Sequence, residues 1–234
     1  MRQLFSHFQF KTIRPWIREF IVIVLGVLVA LWVSDWNESR QNRQRERIDL
    51  QQLLATTKEN EQRIDEAIAE DSSALPAARK LLFAVHTAQA LPPEDSLTSW
   101  RMAAFHFSLF FPLTGTYDAI ARTGDLNLIR DNELRAQVAA YPGILEGTTK
   151  QIEDWTSTFH QNVTDLIQSL PIQGIRALIF NEPAGRKTWK SPVLEKALTM
   201  QIIISQNRVS DLQQLLGATR TLRRSLESDL GNSR

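Results

Sequence analysis

The sequence predicts an all-α protein: one N-terminal transmembrane helix continuing into an elongated antiparallel helical bundle. Three observations predict it. Phe20 to Val33 reads FIVIVLGVLVALWV, an apolar run without a charge. Beyond it, apolar residues recur at spacings of three and four over long stretches, the signature of helices with one buried face. Glycine and proline number only nine each in 234 residues, few for the many tight turns of a sandwich or barrel.

The membrane segment is predicted over 16–36. The apolar run alone is short for a bilayer core, which needs about 20 residues of helix, but Trp16 precedes it and Trp32 and Trp36 close it. Indoles prefer the headgroup boundary, so these three are expected to be interface anchors. Trp16 to Trp36 makes a helix of roughly 31 Å at 1.5 Å per residue. No small-x-small cleavage site follows the run, so an uncleaved anchor is expected rather than a signal peptide. Gly26, Ala30 and Ser34 recur every four residues and share one face, where small side chains would let two membrane helices approach and form a homodimer. Basic residues flank both sides, Arg2, Lys11, Arg14 and Arg18 before and Arg40, Arg43, Arg45 and Arg47 after. That near-tie leaves the signal-anchor position to set the orientation. It places the N-terminus in the cytoplasm of a bacterium and the main domain in the periplasm, anchored in the inner membrane. Residues 1–15 are read as a cytoplasmic tail, in which Leu4, Phe5, Phe8 and Ile13 suit an amphipathic helix on the lipid surface.

Residues 37–234 are read as the bundle. A first helix should continue outward from Trp36, with a seam at Leu50, Leu54, Thr57, Glu61, Ile64 and Ile68. Two of those six positions are polar, so packing on its own domain is expected before a stand-alone coiled coil. Ser72 to Pro76 should end this helix and start another, which stops at Pro92-Pro93. A third begins near Glu94. Phe105, Phe107, Phe110 and Phe111 form the densest aromatic cluster and are expected in the core. A short helix over Tyr117 to Thr123 should end at Gly124, followed by a structural corner in which Leu126, Leu128 and Ile129 turn inward. Asp131 should cap the next helix and Glu133 complement its dipole. A break at Pro142-Gly143 precedes a long helix through Ile152, Trp155, Phe159, Val163 and Leu166. Residues 175–190 read as irregular. Ser191-Pro192 opens a last helix of about 38 residues, ~57 Å long.

Two stretches carry a resemblance. VIVLGVLVALWVSDWNESR, with Trp36, Asn37, Glu38 and Arg40, and TYDAIARTGDLNLIRDNELRAQVAAY, with Gly124, Asp125 and Leu128, resemble the two shared segments of a family of uncharacterised bacterial single-pass membrane proteins, a domain of unknown function. The resemblance implies common architecture over the whole chain and carries no activity, cofactor or site residue with it.

Composition narrows the chemistry. A net charge of +1 offers no basic excess for nucleic acid, so no nucleic-acid partner is expected. With no cysteine, disulfides, thiolate catalysis and cysteine metal sites are excluded. The phosphate-loop, dinucleotide, serine-hydrolase and zinc-protease motifs are missing. His7, His86, His106 and His160 lie far apart in sequence, and the acids Glu59, Glu61, Asp65, Glu66, Glu70 and Asp71 read as a solvated helix face. Arg186, Lys187 and Lys190 read as part of an exposed loop. Catalytic residues, cofactors and metals are therefore not expected. The expected partners are the lipid bilayer, a second copy through the membrane helix, and an unidentified membrane or envelope protein. The reading is a non-enzymatic interaction or scaffold protein. The alternative is a ligand-sensing bundle that signals through its membrane helix to a partner.

Overall fold

A computed structural model describes residues 13–87, 92–106, 108–180 and 189–232. Residues 1–12 of the tail expected over 1–15, Phe107, and the loop residues Arg186 and Lys187 lie outside the described residues. The chain forms two units, Met1–Ile48 and Asp49–Arg234. Helices are α1 (Ile13–Thr87), α2 (Glu94–Ala104), α3 (Gly115–Thr123), α4 (Asn132–Ser169), α5 (Ile172–Phe180) and α6 (Pro192–Asn232), with a 3₁₀ turn at Asp125–Leu128. There is no strand among the described residues, and the protein is all-α.

In the first unit, α1 carries the apolar run with its side chains uncovered: Phe20, Leu25, Leu28 and Trp32 are all more than half exposed. This helix is long and apolar enough to cross a membrane.

In the second unit, α1, α4 and α6 form the bundle. Its seam on α1 is Leu50, Leu53, Thr57, Asn60, Ile64, Ala67, Asp71, Ala74, Ala78, Leu81 and Val85, all buried. Spacings of three and four alternate without a break, the 3.5-residue period of knobs-into-holes packing. The expected seam was off by one residue at alternate positions. Leu54, Glu61 and Ile68 are half-buried on its flanks, while Leu53, Asn60 and Ala67 hold the seam.

Cross-helix pairs fix the directions. Asn162 Nδ2 donates to Ala197 O, and Tyr141 OH meets Thr219 Oγ1, so α4 and α6 are antiparallel. Arg208 reaches Asp71 and Arg220 reaches Glu61, so α6 is antiparallel to α1 as well. Helices α1 and α4 therefore run parallel, and the chain must travel back along the bundle between them. It does so as α2 followed by an extended strap. Ser108 meets Asp71, Phe111 meets Arg63, Leu113 meets Asn60, and Thr116 meets Thr56.

Two expected helix breaks do not occur. Helix α1 runs through Pro76 and α4 through Pro142. An interior proline costs about 3 kcal/mol by deleting one hydrogen bond and crowding the preceding turn. Pro76 lies on the exposed face, between the buried Ala74 and Ala77–Ala78, so the seam on both sides holds the helix together. Pro142 is half-buried between Tyr141 and Leu145, which are both buried. The stretch read as irregular from 175 also differs, since Ile172–Phe180 is helical. Two starts match their local chemistry. Asp131 Oδ1 accepts from Glu133 N and Leu134 N at 2.8 and 3.0 Å, and Ser191 Oγ accepts from Val193 N at 3.3 Å.

The core divides into two apolar clusters. One joins Leu50, Leu53 and Ile64 to Tyr117, Ile129, Tyr141, Leu145 and Leu212–Leu226 residues of α6. The other joins Leu81 and Val85 to Leu97, Leu166, Trp189, Leu194 and Leu198. The chain's two tyrosines, Tyr117 and Tyr141, pack against each other in the first, ring centroids 5.1 Å apart and planes tilted by 47°. Thr57 Oγ1 donates to Leu53 O and Thr219 Oγ1 to Leu215 O, so both phenols must donate to those hydroxyls, at 2.7 and 2.8 Å. Burial pushes both tyrosine pKa values above the ordinary range. A raised folded-state value means this stabilisation is complete below the ordinary tyrosine range and is lost as pH climbs through the raised value. In an alkaline titration, tyrosinate absorbance should thus appear only together with loss of helical circular dichroism. Ionisation at the ordinary tyrosine value with the helix signal intact would refute this packing.

Candidate functional site

Between the two apolar clusters lies a buried polar layer. Arg208 is 1% exposed and Asp71 2%. Arg208 Nε donates to Asp71 Oδ2 at 2.9 Å, Nη1 to Thr156 Oγ1 at 2.8 Å, and Nη2 to Ser108 O at 2.7 Å. Asp71 Oδ1 accepts from Ser108 N and Ser108 Oγ, both at 3.0 Å. One guanidinium and one carboxylate thus tie α1, α4, α6 and the strap at a single level.

Lower on the strap, Asn60 reads both sides of one residue's backbone. Its Oδ1 accepts from Leu113 N at 2.7 Å and its Nδ2 donates to Leu113 O at 2.9 Å. Arg63 Nη1 donates to Phe111 O at 3.1 Å. An extended segment inside a helical bundle has no strand neighbour to pair its amides, and buried amides must find partners. The polar seam positions of α1 supply them.

Sequence reasoning missed this layer. It placed Asp71 on a solvated face with Glu59, Glu66 and Glu70, and those three are exposed while Asp71 is buried. The available signal was its position: Leu50, Thr57, Ile64, Asp71, Ala78 and Val85 fall seven residues apart.

The strap also corrects the aromatic cluster. Extended backbone sends successive side chains to opposite sides, so Ser108 and Phe110 point inward while Leu109 and Phe111 are each 68% exposed. Leu113 is exposed as well. Phe105 packs half-buried on the second cluster. The result is an uncovered apolar row of Leu109, Phe111 and Leu113.

At the corner, Gly124 adopts φ 80°, ψ 3°, the left-handed region that a side chain disfavours. Ile129 is buried, Leu126 half-buried against the first cluster, and Leu128 half-buried. In and beside the apolar run, Trp16, Trp32 and Trp36 are 75%, 70% and 54% exposed. Gly26, Ala30 and Ser34 lie on the same uncovered stretch, and a Cβ at Gly26 would meet nothing within 4 Å.

An open groove of about 660 Å³ is lined by Lys58, Glu61, Gln62, Asp65, Glu66, Ala69 and Arg223. Lys58, Glu61, Asp65 and Arg223 are engaged in ion pairs that join α1 to α6 or lie within α6, while Glu66 Oε1 accepts from Gln62 Nε2 at 2.8 Å. Arg220 Nε meets Glu61 Oε1 at 2.8 Å, Arg223 Nε lies 2.7 Å from Glu61 Oε2 without aiming its N–H there, and Lys58 Nζ meets Glu227 Oε1 at 2.9 Å. Hydrogen bonding to Lys58 holds the Glu227 carboxyl below the usual carboxylate range. His86 Nδ1 pairs with Glu195 Oε1 at 2.8 Å on the surface. Among the described residues no three metal-ligating side chains converge. No family model matches the chain, and no curated protein or solved structure matches it.

Proposed function

We propose that this chain is a single-pass protein of a bacterial inner membrane, with its bundle in the periplasm, serving as a non-enzymatic interaction or scaffold protein. It belongs, on this proposal, with the uncharacterised single-pass family that its Trp-Asn-Glu junction and Gly124 segment resemble. The apolar row of Leu109, Phe111 and Leu113 carries the interaction reading. Large apolar side chains lined up along one exposed edge favour a protein partner. A sensor would need uncommitted polar groups converging on a ligand, whereas Lys58 and Glu61 in the open groove are held in ion pairs with α6. Self-association through Gly26, Ala30 and Ser34 is the further partner contact proposed, and Gly26→Ile should weaken it in a two-hybrid membrane assay.

The test places a photo-crosslinking amino acid at Leu109, Phe111 or the exposed control Arg122 in the full chain, in living cells. The proposal expects one discrete envelope-protein adduct from 109 and 111 and none from 122. Adducts of equal yield at all three positions, or none at 109 and 111, would sink it.

A further inference from the structure

The first turns of α1 beyond the apolar run carry a second pattern. Trp32, Trp36, Arg40, Arg43 and Arg47 fall at intervals of four, four, three and four. At about 100° per residue they occupy one arc of roughly 80° on the helix. Trp32 and Trp36 are exposed, as are all three arginines. No ion pair among the described residues engages Arg40, Arg43 or Arg47, and Arg43 Nε makes only a long contact to Ser39 O at 3.4 Å. The acids nearby, Asp35, Glu38 and Glu46, and the fourth arginine, Arg45, fall outside the arc.

We infer that this face is a binding site for anionic phospholipid headgroups. The inference rests on the membrane reading of Phe20 to Val33. With the indole of Trp36 at the hydrocarbon boundary, Arg40 stands about 6 Å further out and Arg43 about 10 Å, at 1.5 Å per residue. The headgroup layer is roughly 5–7 Å deep on each side. Arg40 therefore lies within it, and Arg43 can bend back to it along its flexible stem. Arg47, one turn higher, stays within about two Debye lengths of the charged surface. A guanidinium presents a planar fork of donors that matches two phosphate oxygens at once. Stacked above an aromatic pair, the forks of Arg40 and Arg43 present to one or two lipid phosphates what an exposed helix otherwise offers only to water, and Arg47 adds longer-range attraction. The charge is complementary, the depth is right, and the indoles fix the depth. The ligand class is a phosphatidylglycerol-type headgroup, with net negative charge, in preference to a zwitterionic one.

The test uses the full chain reconstituted in phosphatidylcholine vesicles containing a small fraction of brominated lipid, either phosphatidylglycerol or phosphatidylcholine. Bromine on the acyl chains quenches tryptophans at the hydrocarbon boundary, so quenching reports which lipid lies beside the helix. Brominated phosphatidylglycerol should quench more strongly at equal mole fraction, by an apparent preference of about fivefold or more that fades with added salt. The triple variant Arg40→Gln/Arg43→Gln/Arg47→Gln should lose the preference, and Arg45→Gln should keep it. Equal quenching by the two lipids in the parent chain would overturn the headgroup site while leaving membrane insertion intact. Preference that survives the triple variant would overturn it too. Quenching by neither lipid would overturn the membrane reading and this site together.

Discussion

Replacing Arg208 by methionine should destabilise the bundle by about 3–5 kcal/mol, the cost of leaving a buried partner charge uncompensated. The methionine keeps much of the volume but removes the donors to Asp71, Thr156 and Ser108. Asp71 would then face only the Ser108 amide and hydroxyl. For a domain of this size, each kcal/mol moves the melting temperature by about 2–4 °C, so a fall of roughly 10 °C is expected for the full chain in detergent micelles. Asp71→Leu should cost a similar amount. The double variant should recover part of the loss, because the desolvated charge is gone from both sides. Recovery should stop short of the parent, because the Ser108 carbonyl still loses its donor at about 1–3 kcal/mol. Melting temperatures unchanged in both single variants would refute the polar layer. Single and double effects that simply add would refute the pairing.

The corner gives the second large effect, and it separates two neighbouring residues. Ile129 is 1% exposed, so Ile129→Ala should cost about 2–5 kcal/mol through lost burial and the cavity left behind. Leu128 is half-buried, so Leu128→Ala should cost only about 1 kcal/mol. Gly124→Val should cost about 1–2 kcal/mol from backbone strain alone, since its Cβ would meet nothing within 4 Å. Denaturant midpoints of the three variants give the order directly. Leu128→Ala more damaging than Ile129→Ala would mean that the turn after Gly124 faces the other way.

The long helices were legible because their seams repeat at 3.5 residues for many turns, and a period that persistent has few other readings. The caps at Asp131 and Ser191 were legible because a short polar side chain before a helix start has one dominant use. The prolines misled for a physical reason. A proline on an outer face deletes one hydrogen bond near solvent, and the seam around Pro76 holds regardless. The strap left almost no trace, because its alternation spans only Ser108 to Phe111, too short to register as a period. Arg208 and Asp71 were hidden by their charge, since charged side chains are mostly solvated. Only counting sevens from Leu50 would have marked Asp71 as buried. The arginines after Trp36 were visible as composition, and the expected continuation of the helix past Trp36, which α1 bears out, is what puts Arg40, Arg43 and Arg47 on a common face with Trp32 and Trp36.

The membrane assignment admits a direct measurement, because the chain has no cysteine and single cysteines can be introduced on a silent background. Leu25 lies in the apolar run and is 55% exposed on the bare protein, so a bilayer around the helix is what would shield it there. Gln52 is exposed on the bundle segment of α1. In intact spheroplasts treated with a membrane-impermeant maleimide, Gln52→Cys should label and Leu25→Cys should not, becoming reactive only after the protein is denatured. Labelling of Leu25→Cys as fast as Gln52→Cys would contradict a membrane-embedded helix, and labelling of Gln52→Cys only after lysis would contradict a periplasmic bundle.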